Sequence, residues 1–254
     1  MKPKILHYDV ETSLMAVYTF GLFNQDISID NIIDDWFIIC AAWQWDDERK
    51  VHGVSVLDDM ARFHVNNKDD YHVIATLYDV LKEADILVAH NGDAFDIKKF
   101  NARAVLHGFK PLPPIKTVDT LKVARRNFKF TSNKLDYITR YLGCGAKMSN
   151  PSGLWRRATE GCEKAIKHMA KYNKVDVKEL KSIYHKLRPY ITNHPNYNLY
   201  TKGETPVCPK CGSKHLVKEG TKKTQTRTYQ QYSCKGCGGW SSSTISTDVR
   251  VTVK

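Results

Sequence analysis

Two carboxylates spaced one residue apart end a short apolar stretch near the start of the chain, at Asp9 and Glu11. In an extended strand, the side chains of residues i and i+2 point to the same face of the sheet. The two carboxylates would then project together and repel each other unless a cation lay between them. Oxygen ligands of this kind suit Mg²⁺ or Mn²⁺. Taken alone, however, the pattern is more often only a solvated strand end.

A further carboxylate, Asp96, lies where a short apolar strand at residues 86–89 is followed by a helix over about 94–107. It falls in the first turn of that helix, beside the ends of the strands, which is where ligands gather in an α/β sheet. The alternative is purely structural, because a negative charge at a helix N-terminus is favourable by ~0.3–1 kcal/mol without any ligand.

A tyrosine and an aspartate, Tyr172 and Asp176, lie four residues apart in a long helical tract that runs from residue 160 to about 187. Residues i and i+4 share one face of a helix, so the phenol and the carboxylate can address the same point. Seen alone, they would more often be an ordinary exposed pair on a helix surface.

The three patterns support one another when they are considered together. Four carboxylates at one edge of a sheet would need cations, and two divalent ions ~3.5–4 Å apart can clamp the attacking and leaving oxygens of an in-line phosphoryl displacement. The four carboxylates are Asp9, Glu11, Asp96 and Asp176. The hydroxyl of Tyr172 could hold the attacking water.

The rest of the pattern predicts an α/β fold with a mixed sheet, because the first strands follow one another and later strands alternate with helices. The predicted strands cover residues 4–12, 36–43, 51–57, 86–89 and 115–118, and the predicted helices cover 71–84, 94–107, 120–127, 134–142 and 160–187. We expect residues 14–35 and 148–157 to be irregular. We read Asp119 as a helix cap and His90 as a packed histidine at a strand end.

The order Asp-x-Glu, then Asn-x-x-x-Phe-Asp, then Tyr-x-x-x-Asp resembles the DEDD superfamily of 3′–5′ exonucleases, in its tyrosine-bearing branch. The resemblance covers roughly residues 4–190. Supporting stretches are at 118–121, 134–138 and 184–189, and they are similar to stand-alone exonucleases of bacteria and their viruses.

This resemblance implies a ribonuclease H-like fold, in which helices flank a mixed five-stranded sheet. It also implies two Mg²⁺ or Mn²⁺ ions and hydrolysis of the 3′-terminal phosphodiester to release nucleoside monophosphate. Asp9, Glu11 and Asp176 would hold the first metal, Asp9 would bridge to the second, and Asp96 would support that second site. Asn91 and Phe95, in the second motif, are expected to touch the substrate.

Four of the seven cysteines form two Cys-x-x-Cys pairs separated by 22 residues, at Cys208, Cys211, Cys234 and Cys237. This spacing is typical of a tetrahedral zinc site with four thiolates. Such a site has no open position, so the zinc would be structural and would staple a domain of about fifty residues. We therefore predict an exonuclease domain at 1–190, a linker at 191–205 and a zinc ribbon at 206–254.

The stretch between the two cysteine pairs reads as a β-hairpin that is rich in cations. It contains Lys222, Lys223, Arg227 and Tyr229, and it is similar to zinc ribbons of transposases and transcription proteins. Cations interleaved with aromatic residues can track phosphates and stack on bases, so we predict nucleic-acid binding here. The alternative is a merely solvated basic face. Trp240 is expected to belong to the core of the ribbon.

The charge and composition are consistent with this interpretation. The formal net charge is +12, and nucleic acid is the commonest anionic partner of a basic protein. No stretch approaches the ~18 apolar residues of a membrane span, and the N-terminus leads directly into a strand rather than a signal peptide. Paired cysteines in such a chain predict a cytoplasmic protein, and the resemblance implies a bacterial cell or a phage-infected host.

We therefore predict a metal-dependent 3′–5′ exonuclease that acts on DNA, with single-stranded 3′ ends favoured, in proofreading, repair or replication. Proofreading would require a separate DNA polymerase as partner. One alternative is a 3′–5′ exoribonuclease that trims RNA. Another is a zinc-ribbon DNA-binding protein whose nuclease domain has decayed, although the presence of all four carboxylates and of Tyr172 argues against decay.

Overall fold

A mixed five-stranded sheet lies at the centre of the protein. The computed structural model describes residues 2–145, 148–202 and 205–248. The strands are β1 (Ile5–Thr12), β2 (Ala16–Val17), β3 (Ile32–Asp34), β4 (Ile38–Trp45), β5 (His52–Ser55), β6 (Ile86–Ala89), β7 (Lys116–Asp119), β8 (Leu216–Lys223), β9 (Thr228–Cys234) and β10 (Trp240–Ser246). In the central sheet the order is β5-β4-β1-β6-β7.

The strand directions place the carboxyl ends of three strands at one edge of this sheet. β4 is antiparallel to both β1 and β5, whereas β1, β6 and β7 run parallel. β4 is buried over seven of its eight residues, as expected for a strand covered on both faces. The ends of β1, β6 and β7 therefore meet where polar side chains can gather without interrupting the core.

Helices cover both faces of the sheet. They are α1 (Met60–Val65), α2 (Tyr71–Leu81), α3 (Asp96–Leu106), α4 (Thr120–Asn127), α5 (Leu135–Tyr141), α6 (Leu154–Thr159) and α7 (Glu163–Leu187). α7 packs across β1 and β4. α7 is continuous over 25 residues. The expectation that residues 148–157 are irregular throughout is wrong, because α6 begins at Leu154.

Alternate residues of β1 face different cores. Leu6, Tyr8 and Val10 belong to the large apolar cluster that also contains side chains of α2 and α3. Ile5, on the other face, packs in a cluster with Leu180 of α7 and with residues of β6 and β7. The face of β1 that carries Ile5 also carries the odd-numbered polar residues, which are thereby directed towards α7.

Among the described residues, the segment between β1 and β4 contains the largest group of exposed apolar side chains. β2 and β3 pair there as a short antiparallel ladder, which the sequence did not predict. The side chains that are at least 70% exposed within this segment are Tyr18, Phe20, Leu22, Phe23 and Ile29.

The cysteine-containing region forms a separate antiparallel sheet in the order β10-β9-β8. The hairpin predicted between the cysteine pairs is present as β8 and β9. The third strand, β10, begins at Trp240, whose side chain is 48% exposed, so the expectation that Trp240 belongs to the ribbon core is wrong. Residues 249–254 of the predicted ribbon lie outside the described residues.

The segment predicted as a linker is packed in its described part. Ile191 and Tyr197 are buried together with Val207 in the same cluster as Ile5. The side chain of His194 is also buried, and its Nε2 receives a hydrogen bond from the Tyr184 hydroxyl at 2.7 Å. These contacts connect α7 to the start of the three-stranded sheet.

Candidate active site and metal centres

Three carboxylates from two distant stretches of sequence come together where β1 ends. Each of Asp9, Glu11 and Asp176 offers an oxygen, and these oxygens all lie within 4.8 Å of one another. Asp9 and Glu11 share the face of β1 that is directed towards α7, which carries Asp176. The i, i+2 rule for strands placed Asp9 and Glu11 on one face, whereas the approach of Asp176 follows from the packing of α7 on β1.

Asp96 lies beside this group rather than within it. Its side chain is 2% exposed, in the first turn of α3, and its Oδ1 accepts a hydrogen bond from the backbone N–H of Val10 at 3.1 Å. This contact holds α3 against β1 between the two carboxylates of that strand. The acidic group thus has one carboxylate set apart from the other three, which is an arrangement that can serve more than one cation.

The pKa values of Asp9 and Asp96 indicate that these carboxylates need a bound cation to be ionised together. Burial, followed by the charges of Asp96, Glu11 and Asp176, raises the pKa of Asp9 well above its ordinary value. Burial also raises the pKa of Asp96 to about 7. A bound cation would reverse both effects, because it favours the ionised form of a carboxylate. The donor set consists of oxygens alone, so it fits Mg²⁺ or Mn²⁺ better than a softer metal.

Tyr172 lies next to Asp176 on α7 and is 8% exposed. Burial and a hydrogen bond with the Asp176 carboxylate raise the pKa of its phenol. The phenol therefore keeps its proton at ordinary pH, and its hydroxyl lies against the carboxylate group through the hydrogen bond with Asp176. The i, i+4 relationship predicted from sequence is present.

Asn173 is a residue of the site that sequence reasoning missed. Its Nδ2 donates a hydrogen bond to Oδ2 of Asp9 at 2.6 Å, and its side chain is fully buried. Its Oδ1 has no hydrogen-bond partner among the described residues. The only signal in the sequence was its position directly after Tyr172, which gives no reason to choose an uncharged amide over its neighbours.

The turn that leads into Asp96 is held by a hydrogen bond to the side chain of Asp119, at the end of β7. The Oδ1 of Asp119 accepts hydrogen bonds from the backbone N–H groups of Asn91, Leu121 and Lys122 at 3.0–3.3 Å, so its predicted role as a helix cap is confirmed. Asn91 itself has a φ of +74°, in the left-handed region. Gly92 allows the close approach to β6, since a Cβ there would lie 2.4 Å from the Cβ of Ala89.

The other residues of this motif lie around the same edge. His90 is packed as predicted, with Nδ1 at 2.9 Å from Oγ1 of Thr120 and Nε2 at 2.8 Å from the carbonyl oxygen of Asn133. Phe95, which precedes α3, is 36% exposed. Asn91 is half-buried and Phe95 is accessible, so both predicted substrate contacts lie at the surface near the carboxylates.

Four thiols converge in the three-stranded region. The sulfurs of Cys208, Cys211, Cys234 and Cys237 lie within 4.8 Å of one another, with 3.8 Å between Cys208 and Cys237 and 3.6 Å between Cys211 and Cys234. Zn–S bonds of ~2.3 Å in a tetrahedron set sulfurs about 3.8 Å apart, so the group fits zinc. Backbone N–H groups of Gly236 and Gly239 donate to two of the sulfurs, as outer partners of a metal site do.

A further group of possible metal ligands lies towards the other end of β1. Oδ1 of Asp46 is 2.9 Å from Nε2 of His7 and 2.8 Å from Nε2 of His185. The hydrogen bonds and charges of the two histidines outweigh burial and lower the pKa of Asp46. Nδ1 of His7 is buried without a partner among the described residues, whereas a metal-bound histidine usually donates its other N–H group. The three residues therefore fit a hydrogen-bonded cluster that joins β1, the turn after β4, and α7.

The predicted nucleic-acid contacts of the hairpin lie on β8, on β9 and in the turn between them. Lys222, Lys223 and Arg227 are exposed, and Tyr229 is half-buried. Since neighbouring residues of a strand point to opposite faces, Lys222 and Lys223 cannot both contact the same ligand face.

The family assignment follows from comparison of the chain with family models. The model described as the RNase_H superfamily matches residues 45–188. The chain belongs to the RNase H superfamily. The predicted fold class is thereby confirmed, because the mixed five-stranded sheet flanked by helices is the RNase H-like fold. The match begins at the end of β4, but β1, which carries Asp9 and Glu11, is the central strand of the same sheet.

Solved structures agree with this assignment at the level of fold. The RNase H superfamily chain is similar to a family B DNA polymerase from the hyperthermophilic archaeon Pyrobaculum calidifontis, with a TM-score of 0.55 and 16% sequence identity. The similarity covers 74% of this chain and 25% of that polymerase, so the chain spans about a quarter of its length. A search of curated proteins found no match. No helix among the described residues of this RNase H superfamily chain has the length and apolar content needed to cross a membrane.

Proposed function

We propose that the protein is a metal-dependent 3′–5′ exonuclease that hydrolyses DNA to nucleoside monophosphates by a two-metal-ion mechanism. The observation that carries this proposal is the convergence of Asp9, Glu11 and Asp176 within 4.8 Å, with Asp96 beside them. Membership of the RNase H superfamily supports a nuclease, and nucleases with this fold use divalent metals.

Each residue has a defined part in this chemistry. Asp9, Glu11 and Asp176 would hold one Mg²⁺ or Mn²⁺, and Asp9 together with Asp96 would hold a second, partly through water. Divalent cations held there would activate a water as the nucleophile and would stabilise charge on the leaving oxygen. The Tyr172 hydroxyl, which keeps its proton, would orient the nucleophile.

The cysteine region would add a structural Zn²⁺ and a second nucleic-acid contact. The four thiols fit a closed tetrahedral site, and the domain is small enough to need one. Of the exposed cations of the hairpin, Lys222, Lys223 and Arg227, those on the face that meets the nucleic acid would neutralise backbone phosphates, while Tyr229 would contact a base or sugar. A separate DNA polymerase is a partner that proofreading would require.

The main alternative is a 3′–5′ exoribonuclease, which would use the same carboxylates on RNA. A decayed nuclease domain, which would leave only a zinc-ribbon DNA-binding protein, is disfavoured by the assembled carboxylate group. The test is digestion of matched single- and double-stranded DNA and RNA, each labelled at the 5′ end so that stepwise shortening from the 3′ end is visible. The proposal expects DNA shortening by single nucleotides with Mg²⁺ or Mn²⁺, and none from the Asp9→Ala protein. Shortening of RNA alone would select the alternative, and no cleavage of any substrate would select the decayed domain.

A further inference from the structure

One face of the three-stranded sheet borders a groove whose occupant the proposed function does not name. The groove has a volume of about 440 Å³. Its sheet side is formed by Lys222, Gln231, Trp240 and Ser242, and its opposite side includes Thr192 and His194. We call this feature the Trp240 groove. It lies between the cysteine region and the segment that follows α7.

The strand register shows that the sheet side of the groove is one continuous face. Ser242 pairs with Gln231, and Trp240 pairs with Ser233, two residues further along β9. Lys222 pairs with Tyr229, two residues before Gln231. Since alternate residues of β9 point the same way and paired residues share a face, all of these side chains are on the same side of the sheet.

The groove contains the groups that a nucleic-acid base and its phosphate require. The indole of Trp240 is 48% exposed, which leaves part of its face free for stacking. Lys222 provides a cation at the same face, and Gln231 provides an amide. Residues 205–248 contain seven Lys and Arg against two Asp and Glu, so the surroundings favour an anionic polymer.

The segment that forms one wall of the Trp240 groove also lines a second cavity. Ile191 and Asn193, which alternate along the chain with the two residues of the groove wall, line this cavity. Its other side includes Asp93, Lys122 and Arg126. Asp93 belongs to the turn directly before Asp96, so this second cavity lies beside the turn that leads into the candidate active site.

We infer that the Trp240 groove binds a base and its phosphate in the single-stranded part of a nucleic acid whose 3′ end lies at the carboxylates. This inference rests on the proposed function for the direction of the strand, but binding in the groove itself requires no cleavage. Trp240 stacks on the base, and Lys222 contacts the adjacent phosphate. Base stacking on an aromatic side chain corresponds to ~5–150-fold in affinity.

The experiment measures binding by the full-length, zinc-loaded protein carrying Asp9→Ala, so that no cleavage occurs. The probes are fluorescent oligothymidylates of three and of twenty nucleotides, with an oligouridylate of twenty nucleotides as the RNA arm. Trp240→Ala should weaken binding of the longer probes ~5–150-fold and should weaken binding of the trinucleotide less, because a short probe can bind at the carboxylates alone. Trp240→Phe, which keeps an aromatic face, should retain most of the affinity. Zinc content, measured for every variant, checks that the ribbon is intact.

Two matched variants separate stacking from general effects. Ile245→Ala removes another exposed apolar side chain of β10 that does not line the groove, and it should not change the affinity. Lys222→Ala should reduce the slope of log K against log salt by ~0.7 for a single strand, and Lys223→Ala, on the opposite face, should reduce it less. Equal effects of the two lysine variants would overturn the inference.

The inference would also be overturned if Ile245→Ala weakened binding as much as Trp240→Ala does. It would be overturned as well if Trp240→Ala left binding of the longer probes unchanged. A Trp240 that instead docks another protein would give this last result. Nucleotide release by the parental protein is measured separately. If no nucleotide is released but Trp240→Ala still weakens binding, the proposed function fails while the groove assignment stands.

Discussion

Asn173 donates a hydrogen bond from Nδ2 to Oδ2 of Asp9 at 2.6 Å and so joins the middle of α7 to the central strand. The contact spans 164 positions of sequence, and it fixes one oxygen of Asp9 while the other remains available to a cation. Because the Asn173 side chain is fully buried, its geometry is set by the packing of α7 rather than by solvent.

Replacing Asn173 should therefore weaken the metal site without removing any metal ligand. We expect Asn173→Ala to raise the Mg²⁺ or Mn²⁺ concentration needed for half-maximal activity ~10–100-fold, as losses of outer partners of metal ligands do. A metal titration of nucleotide release measures this shift. Asn127→Ala, which removes an amide that bonds to its own helix, should leave the titration unchanged. Identical titration curves for Asn173→Ala and the parental protein would contradict the assignment.

Removal of Asp9 tests the site more directly. Since Asp9 would bridge both cations, Asp9→Ala should reduce kcat by at least ~10³-fold, which corresponds to about 4 kcal/mol of barrier. The fold should persist, because the substitution deletes a carboxylate whose burial and acidic neighbours raise its pKa. Stopped-time nucleotide release and circular dichroism measure the two effects, with the exposed Asp79→Ala as control. Near-normal turnover by Asp9→Ala would remove this group from the reaction.

Tyr172→Phe separates the hydroxyl from the ring. The ring packs near Trp155, with 6.2 Å between centroids, and this contact is kept in the variant. We expect slower hydrolysis at saturating metal, with the metal concentration for half-maximal activity nearly unchanged, because the phenol would act on the nucleophile rather than as a ligand. If hydrolysis by the variant proceeds at the parental rate, Tyr172 only supports the packing.

His194 should make stability depend on pH. Burial lowers the pKa of His194 to about 4 in the folded protein, against 6.5 for the free side chain, and the neutral ring is held by Tyr184 and by the carbonyl oxygen of Pro195. Below pH 6.5 the His194 side chain is protonated in the unfolded chain, whereas in the folded protein it stays neutral down to about pH 4. The contribution of His194 to the free energy of unfolding is therefore complete above pH 6.5 and decreases as the pH falls, by about 2 kcal/mol at pH 5.

Denaturant unfolding at pH 7 and pH 5 measures this effect. His194→Gln should have a smaller difference in the free energy of unfolding between the two pH values than the parental protein. His64→Gln, at an exposed histidine, serves as the control and should keep the parental difference. If His194→Gln keeps that difference too, the titration of His194 is not coupled to folding.

Zinc removal should weaken more than the cysteine region. Val207, next to Cys208, is buried with Ile5 of the central sheet, and the Lys210 ammonium donates to the carbonyl oxygen of Pro189. Cys208→Ala should therefore lose zinc and also lower the melting temperature of the RNase H-like domain. Metal analysis and calorimetry measure the two effects, and Cys162→Ala, at an exposed cysteine outside the group, should change neither. Full retention of zinc by Cys208→Ala would refute the four-thiolate assignment.

The sequence predicted the candidate site best where chemistry and periodicity act together. Asp9 and Glu11 could be placed on one face because a strand alternates, and Asp176 could be placed next to Tyr172 because a helix repeats every 3.6 residues. Asn173 could not be found in this way, since neither charge nor spacing distinguishes a buried amide from its neighbours. Its partner is fixed only when α7 packs on β1.

The errors have a common physical cause, which is that local pattern does not report tertiary burial. Residues 191–205 lack periodicity and were predicted to be a linker, yet Ile191 and Tyr197 fill a gap between α7 and the cysteine region. Trp240 was expected in the ribbon core because it lies near the second cysteine pair, but the small three-stranded sheet has too little volume to enclose it. In both cases the neighbouring element decides the burial.

The segment between β1 and β4 also determines how the folded protein would be cut by proteases. From Ile5 to Glu48 the chain contains no Lys or Arg, so trypsin has no cleavage site there. Chymotrypsin, which cleaves after large apolar residues, would find Tyr18, Phe20 and Phe23 exposed in one short stretch. Limited digestion should therefore nick this segment first with chymotrypsin, while trypsin leaves a fragment that still contains β1 and β4 joined.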